Sequence, residues 1–229
     1  MVFAELLFND PQFFLMWILI VIFSVSCHEY FHAQVALWEG DATAAKAGHL
    51  TLNPLKQMGP FSLIMLIFIG IAWGSVPVSP SRMKHRYSGA LVSLAGPFAN
   101  LLIFIFSILA LSFIITLKYK GISLFQYGIK PYFKEMPPAL LFFFTTAYLN
   151  LVLFIFNMLP FPILDGWDVF TYIFPGLRKL DRGTEITKGF YLFAFLFIFV
   201  FIGYIFYFAQ ITTIFLSAFA GVIFQLAGV

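Results

Sequence analysis

The chain alternates long apolar runs with short polar breaks, and run length limits what each run can become. Residues 12–37 form the first run, opening after Asp10-Pro11 and closing near Glu39-Gly40-Asp41. Its 26 residues exceed the roughly 20 that a helix needs to cross a bilayer. Residues 38–59 are mixed and broken by Gly40, Gly48, Asn53-Pro54 and Gly59-Pro60. Residues 60–76 are apolar again but number only 17, lie between Pro60 and Pro77, and contain Gly70 and Gly74. Further spans are predicted over about 88–117 and 139–159, separated by a polar stretch at 118–138. Residues 167–188 are polar. The tail, 189–229, is apolar over 41 residues, room for two spans or for one span and an interfacial helix.

Composition sets the solvent. Hydrophobic residues make up 62% of the 229-residue chain and charged ones 10%, with 33 Phe. A soluble domain carries roughly 25% charge, and a core of this size could not hide so much apolar side chain. The expected fold is an all-α polytopic membrane protein, a single domain over 1–229, with about 5–6 transmembrane helices and one re-entrant or hairpin element. A net charge of +3 is too small to argue for nucleic acid as a partner. The one cysteine, Cys27, excludes an intrachain disulfide. No Lys or Arg precedes the first run, which is too long for a signal peptide and is expected to be retained as a span.

Chemistry enters in that first span, as His28-Glu29-Tyr30-Phe31-His32. Residues four apart share a helix face, so both imidazoles can reach one ion. A catalytic zinc uses three protein ligands and a water, and Glu29 beside the first ligand can take that water's proton. This is the H-E-x-x-H arrangement of metalloproteases. Ionisable side chains inside a bilayer are expensive and mark function by default. A third ligand must come from elsewhere. Asp165 is the one other acidic residue at the end of an apolar span, after Pro160 and Pro162 break the helix. Alone, it reads better as an ordinary helix end meeting water. Cys27 points about 100° from His28 and suits packing; His49 and His85 suit polar loops.

With HEYFH in the first span and NMLPFPILDG some 130 residues later, the chain resembles the site-2 protease family of intramembrane zinc metalloproteases. The family's N-x-x-P-x-x-x-L-D-G pattern falls on Asn157, Pro160, Leu164, Asp165 and Gly166. The resemblance implies one zinc held by His28, His32 and Asp165, with Asn157 near the substrate or its oxyanion. It also implies cleavage within or near transmembrane helices of other membrane proteins. Gly96-Pro97-Phe98-Ala99-Asn100 resembles the small-residue segment of the family's middle core helix, whose main job is packing. Residues 48–54 resemble a short β-like segment that could pair with an extended substrate, and equally suit a plain loop. There is no room for a PDZ domain between the motifs, which suggests a compact form.

Parity tests this arrangement. Both motifs lie at C-terminal ends of spans, and those ends share a membrane face only if 60–76 turns back instead of crossing. The glycines, the flanking prolines and the short length favour turning back. Nine Lys and Arg then fall on the metal side and four, Lys118, Lys120, Lys130 and Lys134, on the other. The positive-inside rule puts the site towards the cytoplasm of a bacterial-type plasma membrane, with the N-terminus outside. Competing functions fare worse. A metalloprotease with a glutamate third ligand would need Glu185, which lies in a basic loop. A di-iron hydroxylase needs about eight histidines, and the chain has four. A metal transporter or an inactive scaffold has no need of Glu29.

Overall fold

In the computed structural model, residues 3–118, 136–177 and 185–227 are described. After a short turn, α1 (Leu6–Asn9) leads into α2 (Pro11–Trp38). Asp10 starts α2 by accepting a hydrogen bond from the Phe13 amide at 3.1 Å, and Pro11 takes the first position, where its missing N–H costs nothing. The far end is held from outside. Lys84 Nζ donates to the Trp38 carbonyl at 2.7 Å, placing a cation where the helix dipole is negative.

Two single-turn helices follow, α3 (Thr43–Lys46) and α4 (Pro54–Gln57), then α5 (Gly59–Ile69). Its 11 residues rise only about 16 Å. Gly70 ends it at φ 77°, a left-handed conformation that favours glycine. The chain then returns along α5: Ser62 Oγ donates to the Trp73 carbonyl at 2.6 Å and accepts from the Trp73 amide at 2.8 Å. The Ser75 amide donates to the Gln57 carbonyl at 3.1 Å. The 60–76 segment therefore turns back, as the parity argument requires. Trp17 Nε1 donates to the Gly70 carbonyl at 2.9 Å, so the tip of the hairpin reaches the N-terminal half of α2.

No strand forms among the described residues, and 48–53 is a loop that ends where Pro54 opens α4. Its carbonyls explain why. Those of His49 and Thr51 both accept from the side-chain amide of Gln57, which is 1% exposed, so they have no need of a partner strand. Asp41, wholly buried, fixes the other end of the return segment by accepting from Thr43 and from the Ser79 amide. Burial pushes the Asp41 carboxyl up. Those donors and the charge of Arg82 outweigh it and hold the carboxyl below the usual range.

Three long helices complete the fold: α6 (Ser88–Lys118), α7 (Pro138–Asn157) and α9 (Glu185–Leu226), with the short α8 (Asp165–Ile173) between the last two. Four helices among the described residues are long and apolar enough to span a membrane, fewer than the five or six expected. The difference lies in the hairpin and in the tail, which is one 42-residue helix. No proline interrupts that tail, and without a breaker two apolar halves fuse. The core lies where α2, α6 and α7 meet, around Leu111, Leu140, Phe144 and Ala147. Outward positions are as apolar as inward ones, Phe106 and Phe219 among them, which suits lipid as solvent.

Candidate metal centre

His28 and His32 lie one turn apart on the face of α2 turned towards α6, each 8% exposed. Their Nε2 atoms are 3.0 Å apart. Asp165, the first residue of α8, brings Oδ2 to 3.0 Å from His28 Nε2 and 3.3 Å from His32 Nε2. Four tetrahedral ligands about 2.0–2.1 Å from a zinc are separated by about 3.3 Å, so the three donors match that spacing.

The hydrogen bonds behind the rings decide what the facing atoms carry. His32 Nδ1 is 2.6 Å from the Val92 carbonyl, which can only accept, so Nδ1 bears the proton. His28 Nδ1 is 2.7 Å from Asn100 Oδ1. That amide's orientation is fixed in turn. Asn150 Nδ2 donates to the Thr146 carbonyl at 2.8 Å and to Ser24 Oγ at 2.9 Å, which leaves Asn150 Oδ1 to accept from Asn100 Nδ2 at 2.9 Å. Asn100 Oδ1 therefore faces His28 and accepts a hydrogen bond from its Nδ1–H. Both Nε2 atoms are left with lone pairs, and the carboxylate Oδ2 beside them has no hydrogen-bond donor. Three electron pairs aimed at one point fit a cation.

Gly96 leaves the room for it. A Cβ there would come within 3.0 Å of the Nε2 atoms of both histidines. Gly74, on the return segment, does the same for the base: a Cβ would run into the Glu29 carboxylate. Gly166 lets α8 start against the backbone of Met158 and Leu159, where a Cβ would sit 2.5 Å from main-chain atoms. All the pieces open onto one cavity of about 600 Å³, lined by His28, Glu29, His32, Asn157 and Asp165 together with Trp73 to Val76 of the return segment. Asn157, the last residue of α7, spends one amide hydrogen on its own helix, at 3.0 Å from the Leu153 carbonyl. Asp168, one turn after Asp165, accepts from Ser93 Oγ at 2.9 Å and ties α8 to α6.

The structure thus brings together all five residues singled out from the sequence. Among the described residues His28, His32 and Asp165 form the cluster able to hold a metal. Cys27 is half-buried and outside it. His49 bonds Gln57, and His85 stacks on Tyr87. Glu185 opens α9. What sequence reasoning missed are Asn100, Asn150, Gly96 and Gly74. Buried amides in apolar spans were the available signal for the first two.

A zinc-type donor set buried among helices long and apolar enough to span a membrane fits a membrane metalloprotease, and comparison with known proteins gives the family. The chain belongs to peptidase family M50, as the site-2 protease resemblance implies. The profile "Peptidase family M50" matches residues 134–201, which include Asn157 and Asp165. The chain is 35% identical over 184 residues to "Putative zinc metalloprotease YwhC" of Bacillus subtilis, covering 79% of each protein. It is 32% identical over 153 residues to "Putative zinc metalloprotease Rip2" of Mycolicibacterium smegmatis, covering 64% of this chain and 52% of that one. The Rip2 of Mycobacterium tuberculosis is 28% identical over 150 residues, covering 63% and 51%. The chain therefore spans about half the length of the Rip2 proteins. No solved structure matches it.

Proposed function

We propose that the protein hydrolyses peptide bonds within or near transmembrane helices of other membrane proteins, using one zinc held by His28, His32 and Asp165. The convergence of three proton-free donor atoms in the cavity that also holds Glu29 carries this reading. When bound, zinc supplies Lewis acidity and lowers the pKa of a water towards neutrality. Glu29, in the same cavity, would take a proton from the attacking water and return one to the leaving amine. Gly74 keeps the return segment close enough to hold the Glu29 carboxylate in place. The second amide hydrogen of Asn157, not spent on Leu153, serves the carbonyl oxygen as charge develops there.

The substrate must unwind locally, because a helical peptide bond is shielded by its own hydrogen bonds. Gly, Pro or Asn near the cut would help. The whole chain acts as one catalytic unit, with the metal side towards the cytoplasm. Lys46, Lys56, Arg82, Lys84 and Arg86 cluster at that end, against Lys118 at the opposite end of α6. Lys120, Lys130, Lys134, Arg178, Lys179 and Arg182, which entered the sequence-based count, lie outside the described residues.

Two isosteric variants test the assignment. Glu29→Gln keeps shape but cannot take a proton, so zinc stays near stoichiometric while cleavage of a transmembrane peptide falls by orders of magnitude. Asp165→Asn exchanges an anionic ligand for a weak neutral one, so zinc itself is lost or loosened. Full activity in Glu29→Gln would overturn the mechanism; full zinc and full activity in Asp165→Asn would move the third ligand elsewhere.

A further inference from the structure

Beside the metal cavity lies a second one of about 370 Å³. Ala72, Leu153 and Phe156 line both, so the two are compartments of one crevice divided by three side chains. Their chemistry differs. The metal compartment mixes imidazoles and carboxylates with apolar walls such as Val25, Val76 and Val92. The second is walled by Ile20 and Val21 of α2, Leu149 and Val152 of α7, and Phe206 of α9. The polar side chains that reach it are already committed. Trp17 Nε1 bonds the Gly70 carbonyl, and Ser24 Oγ accepts from Asn150. That first bond also braces the wall, since Gly70 and Ile71 of the hairpin tip line the compartment and Phe3 packs against Gly70.

We infer that this compartment is a specificity subsite, taking a bulky apolar side chain of the substrate next to the bond that is cut. The inference rests on the peptidase reading of the metal centre. A residue bound at the divide has its carbonyl on the polar side and its side chain on the apolar one. A membrane-spanning substrate offers Leu, Ile or Phe at almost every position. The metal compartment has apolar walls too but must also hold the scissile carbonyl and the attacking water, whereas the second surrounds an inserted side chain almost wholly with apolar groups. The shared walls make a substrate side chain the occupant. A lipid acyl chain would have no reason to end against the catalytic cavity.

The test uses the zinc-loaded full chain in detergent and one transmembrane peptide whose cut is located by mass spectrometry. Each residue flanking the cut is then changed to Ala, Leu, Phe or Trp. At one position kcat/KM rises about tenfold or more from Ala to Leu or Phe, the range a hydrophobic pocket can give. Val152→Phe fills the compartment and collapses that ratio to about threefold or less. Phe206→Ala enlarges it and moves the optimum to Trp, which keeps the test decisive if Val152→Phe does not fold. Phe106→Ala, on the lipid-facing surface, changes neither rate nor ratio. Binding of the same peptides to Glu29→Gln, which does not cut them, follows the same order of affinity. No preference at any position, or a preference that survives both compartment variants, overturns the proposal; the latter is the result if lipid fills the space. Failure of the wild type to cut any peptide would instead overturn the peptidase reading.

Discussion

His28 Nδ1 and Asn100 Oδ1 stand 2.7 Å apart although 72 residues separate them. The pair joins α2 to α6 beside the His28–His32–Asp165 cluster and leaves the Nε2 lone pair of His28 facing the other two donors. Such outer partners typically contribute 10- to 100-fold in metal affinity. Asn100→Ala is therefore expected to weaken zinc binding by about that factor, read by competition with a chelator. Asn150→Ala should have a smaller effect, because Asn100 Nδ2 still has the Ser24 carbonyl, at 3.5 Å, to hold it. Unchanged affinity in Asn100→Ala would show that the His28 tautomer is set by something else.

Gly96→Ala and Gly74→Ala should separate metal from base. At Gly96 the new methyl meets imidazoles that cannot swing away without losing the bonds to Asn100 and Val92, so zinc is displaced. At Gly74 its nearest contacts are with the Glu29 side chain, so zinc remains and hydrolysis drops by about 100-fold or more. Metal analysis and peptide cleavage on both variants give the contrast, and equal zinc content in the two would contradict it.

The hairpin makes a topological prediction. Lys56 precedes α5 and Arg86 follows the return segment, so cysteines placed at these positions should react with an impermeant reagent from one face. A cysteine at Lys118, one span away, should react from the other. Labelling of positions 56 and 86 from opposite faces would mean that the segment crosses.

Asp41→Asn should destabilise the protein by about 2 kcal/mol, within the range for buried hydrogen bonds to a charged group. Asn has one acceptor oxygen, so if it still accepts from Thr43 its NH2 faces the Ser79 N–H, donor against donor, and it carries no charge. The sign of the pH effect follows from the lowered pKa. The native carboxyl titrates below the ~3.9 of an unfolded Asp. Its contribution is complete above that value and is lost as pH falls through the native one. The gap in melting temperature between wild type and Asp41→Asn should hold from pH 7 to about 5 and close on further acidification.

The two histidines and Glu29 were legible because helical spacing converts sequence positions directly into a shared face. Asp165 was not legible on its own, since an Asp after two prolines is what any span end shows; the family pattern singled it out. Asn157 entered in the same way. Asn100 and Asn150 were invisible as a pair. They come 50 residues apart on different helices, and only the packing of α6 on α7 makes them neighbours. Gly96 looked like a packing glycine because sequence does not show what lies opposite a missing Cβ. The hairpin was readable from length and parity. The single long α9 was not, because hydropathy measures whether residues suit lipid and not whether the helix axis continues.

The geometry around Asp165 also links metal uptake to folding. Two imidazole lone pairs and a carboxylate held 3.0–3.3 Å apart call for a cation, a proton or a metal ion, between them. A metal ion that displaces the proton engages all three donors at once, an arrangement that an unfolded chain does not hold. By mass action, a metal that binds only the native state stabilises it by about 2.7 kcal/mol at a free concentration 100 times its dissociation constant. Zinc binding would then stabilise the fold as well as equip the site, so chain made under metal starvation is expected to unfold more readily.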